Sequence, residues 1–163
     1  NFGSEGLSHD GCVKNVKHIL QNSKHVKQII CLLPGATRKL FNFEFLGSYG
    51  SIPISYTGEY TLPEEFTDEI NDIKELIFKG SIDDEWIKAC TDMIDLCNKH
   101  KVECWLSTWN NDMYMHIPTE YRLPIFPDMD TFKERASDDS HPHRKHYELF
   151  VKNIKPFVDK RQS

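Results

Sequence analysis

The sequence predicts an α/β domain in which helices alternate with buried, mainly parallel strands. Three observations point there. "CVKNVKHIL" spaces its apolar residues for a helix, "VKQIICLLPG" is a β-rich apolar run closed by Pro34-Gly35, and a second helix and apolar run follow in "SIDDEW…" and "VECWLSTW". Helices alternating with short apolar strands are the pattern of a layered α/β unit. The 163 residues suit one domain with a core of its own.

Taken in order, "NFGSEGLSHDG" is polar and glycine-rich, and so reads as a loop. Val13, Val16, Ile19 and Leu20 then share one helical face. The run ending at Pro34-Gly35 reads as a buried strand. The stretch 36–61 is broken by Gly47, Gly50, Pro53 and Gly58, and reads as a long irregular excursion with a short strand at "IPISY". Such excursions are either functional or variable surface insertions. A helix is expected over 63–79, with Phe66, Ile70, Ile73 and Ile77 inward. Another is expected over 83–100, opening on the acids of "SIDDEW" and burying Trp86, Ile87, Cys90, Met93, Ile94 and Cys97. "NNDMYMHIP" and "YRLPIFPDMDTF" are loop-like. The last helix spans 142–160, with Tyr147, Phe150, Val151, Ile154 and Phe157 inward.

Composition narrows the function. Hydrophobic residues make up 39% and charged residues 28%, as in a soluble globular chain. A net charge of -5 offers no electrostatic reason to bind nucleic acid. No apolar stretch approaches the roughly 20 residues a membrane span needs. The cysteines, Cys12, Cys31, Cys90, Cys97 and Cys104, are odd in number and form no CxxC pair. They read as reduced, buried thiols of a cytoplasmic protein, with a catalytic cysteine as the alternative. No P-loop or dinucleotide fingerprint occurs.

Chemistry concentrates in "ASDDSHPHRKHYELFVKNIKPFV". Asp138 precedes His141 by three residues, and Pro142 opens the final helix. A histidine base works near neutral pH, and a carboxylate on its second nitrogen fixes the tautomer and stabilises the imidazolium. The competing reading is a solvated turn whose Asp and Ser residues cap the helix. In an α/β domain, ligands bind beyond the carboxyl ends of the strands. The glycine loop, the Pro34-Gly35 turn and the Asp138–His141 loop can all lie on that edge.

"DDSHPHRKHYELFVKNI" resembles the last block of the SGNH (GDSL-type) hydrolases, where Asp-x-x-His-Pro supplies two members of a Ser-His-Asp triad. "NFGSEGLS" is similar to the family's second block, with Asn1 at a strand end and Gly6 at the oxyanion glycine. "IICLLPGATR" falls where the third block should be. The resemblance implies a flavodoxin-like three-layer sandwich with a mainly parallel sheet. It implies a serine esterase acting on a small ester, such as an O-acetyl group on a carbohydrate, with no metal or organic cofactor. His141 would be the base and Asp138 its orienting carboxylate. Gly6 N–H would bind the oxyanion.

Two departures accompany the resemblance. The third block lacks its asparagine, leaving Thr37 or Arg38 as substitute donors, with Arg38 a candidate substrate contact. No Gly-Asp-Ser occurs in the chain. The nucleophilic serine and the first strands are therefore expected upstream of Asn1, making 1–163 an N-terminally incomplete domain. An upstream segment or another chain would complete it. Ser4 and Ser8 are the alternatives within the chain, but "FGSEG" lacks the first glycine of a nucleophile elbow. A non-catalytic glycan-binding or structural module of the same fold is the competing function.

Other sites are weaker. His141, His143 and His146 form His-x-His-x-x-His, a metal pattern or a set of solvated helix-start histidines. Trp105, Trp109, Tyr114 and Tyr121 could line an apolar or sugar-binding cleft, or serve only in packing.

Overall fold

The computed structural model describes residues 8–36, 38–45, 48–55, 82–132 and 142–159. The helix expected over 63–79 lies outside them. The described elements are α1 (His9–Asn22), β1 (Gln28–Leu33), β2 (Arg38–Phe45), β3 (Ser48–Ser55), α2 (Ile82–Lys99), β4 (Glu103–Thr108), a one-turn α3 (Asn111–Tyr114) and α4 (Arg144–Asp159). The order is that of an α/β chain.

β1 and β4 pair in parallel, from Gln28 opposite Glu103 to Leu33 opposite Thr108. Side chains alternate across this ribbon. Cys104 and Leu106 of β4 join Ile29 and Leu33 in a core covered by α1 and α2. Trp105 turns to the other face, where Leu123, Phe126, Phe150 and Ile154 bury it with Leu32 against it. Helices therefore cover both faces, as a parallel sheet requires. On its far side β4 meets the segment after α3: Leu123 N–H donates to Leu106 O at 2.8 Å, and Phe126 N–H to Thr108 O at 3.0 Å.

The first core holds most of the large buried side chains. Trp86, Leu33, Met93 and Leu106 are fully enclosed, and each contributes roughly 1.5–3 kcal/mol by leaving water. Trp86 also carries a polar obligation, which its Nε1–H meets by donating to Pro34 O at 2.7 Å. That bond ties the first turns of α2 to the end of β1. At its other end α2 turns sharply into β4. Lys101 takes a left-handed φ of 56° there. Its N–H donates to Asn98 O at 3.0 Å, and Val102 N–H donates to Cys97 O at 2.9 Å. A left-handed residue just past a helix end is the usual way to satisfy its last carbonyls.

All five cysteines are free thiols in the layer between these helices and the sheet, four of them buried. The neighbouring Cys31 thiol of β1 holds Cys12 of α1 below its ordinary range. Cys104 of β4 does the same to Cys97 of α2. Cys90 has no such help, and burial pushes its thiol up to about 12.

Three expectations are corrected. The stretch 36–61 contains a regular antiparallel hairpin, β2 with β3, in register from Arg38 opposite Ser55 to Phe45 opposite Ser48. Phe41, Phe43 and Phe45 alternate with Asn42 and Glu44, which is a strand signal. Gly50 and Pro53 do not break the pairing, because among the described residues each strand of the hairpin has an outer edge, which tolerates them. The strand over 28–33 is not buried throughout, since Ile30 is 43% exposed. The inward stripe of α4 is narrower than expected. It buries His146, Phe150 and Ile154, at i, i+4 and i+8. Tyr147, Val151 and Phe157 are exposed. Pro156 stands in the last turns of α4, where Lys152 O loses its helical donor but is on an exposed residue that water reaches.

Two outcomes are expected. Trp86→Phe keeps most of the apolar volume but strands Pro34 O, and should lower the unfolding free energy by about 1–3 kcal/mol in urea titrations. Cys90 keeps its proton to about 12 in the fold, against 9.0 ordinarily. Its contribution is complete below 9.0 and is lost as pH rises towards 12, because the unfolded thiol ionises first. Thermal melts should therefore fall across this alkaline range, and less steeply in Cys90→Ala.

Candidate functional site at the carboxyl edge of the sheet

β1 and β4 finish side by side at Leu33 and Thr108. Three helices begin near that edge. Trp86 brings α2 to Pro34. The first halves of α1 and α2 run together, lining one groove between them. Phe126, held to the end of β4 by its N–H, packs on Tyr147 and Phe150 of α4 with ring centroids 5.1 and 5.2 Å away. Helix starts carry unpaired N–H groups and partial positive charge, so an edge of this kind suits an anion or a developing oxyanion.

Buried polar residues gather at the same edge: Ser8, His9, Ser107, Thr108 and His146. Ser8 is the N-cap of α1. Its hydroxyl donates to the Asp10 carboxylate and accepts Gly11 N–H at 3.3 Å. An enclosed hydroxyl used in this way is a structural cap, in line with the loop role expected of Ser8 rather than the nucleophile alternative. Ser107 Oγ–H donates to Pro124 O at 2.7 Å. Thr108 Oγ1 accepts Asn110 N–H at 3.3 Å. Asn110 in turn caps α3, its Oδ1 accepting from Asp112 and Met113 N–H.

The first turn of α4 is built around two histidines. His143 Nδ1 accepts Lys145 N–H at 3.4 Å. His143 O accepts His146 N–H at 2.9 Å. His146 Nδ1 lies 3.2 Å from that same carbonyl, so a proton on Nδ1 would make a second bond to it. The His146 ring is fully enclosed and meets Phe132 edge-on, with centroids 4.9 Å apart. The expectation of a solvated His146 is thus corrected. It occupies the buried stripe of α4, four residues before Phe150. Counting imidazole as able to enter a core would have revealed it in the sequence.

Phe132 and His146 stand on either side of positions 133–141 in the sequence. Asp138 and His141 belong to that segment and lie outside the described residues, as do Gly6 and Thr37. Their described neighbours are Ser8, Ala36 and Pro142. Arg38 opens β2, opposite Ser55.

The aromatic residues divide. Trp105 is core. Tyr114 donates its hydroxyl to Leu123 O at 2.9 Å, beneath the Arg122 guanidinium, which lies 5.0 Å from the ring centre. Tyr121 accepts from Asn98 Nδ2 at 3.2 Å. Trp109 is exposed. Three of the four serve in packing rather than in a cleft. A groove of about 440 Å³ opens between α1 and α2, lined by residues that include His9, Lys14, Glu85 and Lys88. It lies between helices rather than beyond the strand ends, and Lys88 within it is already bonded to Asp92 at 2.5 Å. Among the described residues no cluster of His, Cys, Asp or Glu could hold a metal ion, and no helix is long and apolar enough to cross a membrane.

His146→Ala should lower the unfolding free energy by roughly 1–3 kcal/mol, since it removes an enclosed ring and its polar contact. Val151→Ala, on the exposed side of the same helix, should stay within about 0.5 kcal/mol. Equal losses in urea titrations would reject the narrow stripe.

No model of a known protein family, no curated protein and no solved structure matches this chain.

Proposed function

We propose that this chain belongs to an SGNH-like serine esterase, of flavodoxin-like three-layer architecture, with its site at the carboxyl edge of β1 and β4. The supporting observation is the Phe132–His146 contact, 4.9 Å between ring centres. Phe132 directly precedes, and His146 follows, the positions 133–141 that include Asp138 and His141. Ser8, which caps α1, and Ala36, just after β1, are the described residues next to Gly6 and Thr37 in the two stretches that resemble the second and third blocks.

In this reading the nucleophile is the serine of a first block upstream of Asn1. His141 takes the serine proton as that oxygen attacks the ester carbonyl, then delivers it to the leaving alcohol. Water completes the cycle by the reverse proton path. Asp138 holds the imidazole in the required tautomer and stabilises its charged form. Gly6 N–H receives the oxyanion, with Thr37 as second donor in place of the family's asparagine. Arg38 contacts the substrate, a small ester such as an acetylated carbohydrate.

The test uses the full-length protein and p-nitrophenyl acetate. His141→Ala should reduce kcat by at least about 1000-fold with unchanged melting. A fluorophosphonate should label one serine, upstream of Asn1. Retained turnover in His141→Ala, or a label on Ser4 or Ser8, would reject the assignment. Absence of both turnover and label would favour the non-catalytic glycan-binding module.

A further inference from the structure

Charge and exposed apolar surface are sorted across the sheet. α2 covers one face and holds five acids against two lysines. α4 covers the other face and holds four Lys and Arg against two acids. Among the described residues the large apolar side chains left exposed are Ile30, Trp109, Met115, Tyr147, Val151 and Phe157. None belongs to α1 or α2, and three belong to α4. Ile30 shares the side of β1 from which Leu32 packs on the second core, the side that α4 covers.

The outer side of α4 combines both properties. Its buried row is His146, Phe150 and Ile154. The neighbouring row is Tyr147, Val151 and Lys155, at i, i+4 and i+8. Tyr147 is 46% and Val151 58% exposed. Lys155 is exposed at the end of that row, and Lys152 is exposed one turn before it. Arg144 neutralises Glu148, with its Nε 2.7 Å from the carboxylate. The other charges of the helix are Lys145, Lys152, Lys155 and Asp159. The helix is therefore net positive, although the chain as a whole carries -5.

We infer that this side of α4 docks on the surface of a membrane rich in anionic phospholipid. The helix lies in the plane of the surface, with its lysines among the headgroups and Tyr147 and Val151 at the boundary with the acyl chains. Such a surface offers negative charge and apolar depth together, which is what a basic helix with an exposed apolar row requires. A second copy of the chain would offer the acids of α2, but no exposed large apolar side chain on that helix to meet Tyr147 and Val151. Tyrosine suits the boundary, because its ring is apolar and its hydroxyl reaches water. The acidic helix lies on the opposite face of the sheet, so like-charge repulsion turns it away from the lipid and fixes the orientation. The attachment requires neither His141 nor an upstream serine, and so stands apart from the esterase reading.

Vesicle sedimentation with the wild-type protein tests this. Vesicles of equal parts phosphatidylserine and phosphatidylcholine should carry the protein down, and vesicles of phosphatidylcholine alone should not. Raising NaCl to about 1 M, where charges are screened beyond about 3 Å, should release most of it. Lys152→Glu combined with Lys155→Glu should weaken binding at least about tenfold. Lys17→Glu combined with Lys99→Glu changes the net charge equally, but on α1 and α2, and should keep binding within about twofold. Val151→Ser should weaken it by roughly three- to tenfold. All five substituted residues are exposed, so melting should be unchanged. Absence of sedimentation with phosphatidylserine, equal binding to both kinds of vesicle, unchanged binding in either α4 variant, or equal losses in the two lysine pairs would overturn the inference. The comparison of the two lipids requires no variant.

Discussion

Both cores and the edge where the helices begin depend on the parallel pairing of β1 with β4. Parallel strands cannot be joined by a tight turn, so the chain must return to the amino edge between them, and helices supply that return. Both faces of such a pair also need cover. The register sets Ile29 opposite Cys104 and Leu33 opposite Thr108. It thereby decides which side chains meet α1 and α2 and which meet α4. A slip of one residue would exchange Trp105 with Leu106 and ruin both cores at once.

The two faces are filled differently. One is broad, with two helices, Trp86, Met93 and the thiol layer. The other is narrow, with Trp105, Leu123, Phe126 and a thin stripe of α4. Sulfur suits the broad side because a thiol is small, apolar and able to bond a second thiol where no oxygen partner is at hand. The narrow side accepts His146 because the backbone carbonyl of His143 lies beside its ring nitrogen. In each case the buried polar atom is tolerated because a partner comes with it.

The carboxyl edge collects helix starts as a consequence of this topology. α1 and α2 each precede a strand by a short link, so their first turns must lie at the far end of that strand. Ser8, Pro34, Thr108 and His143 are thus neighbours of one edge although they are scattered along the chain. Phe132 and His146 meet beside this edge, with ring centres 4.9 Å apart.

Helical periodicity located α1 and α2, and continuous apolar runs located β1 and β4. The acids of 83–85 located the start of α2, and Pro34-Gly35 the end of β1. The Asp138–His141 pattern singled out a segment, though not what surrounds it. The hairpin was obscured by its glycines and proline, whose cost depends on whether a strand is central or at an edge. The stripe of α4 depended on how wide a surface the sheet and the 122–126 segment offer, so Tyr147 and Val151, equally apolar in sequence, stayed outside. The pairing of Cys12 with Cys31 and of Cys97 with Cys104 was likewise decided by the packing of helices on strands. Propensity and periodicity are local, whereas contact, burial and hydrogen-bond partnership are set by which distant segments the fold brings together.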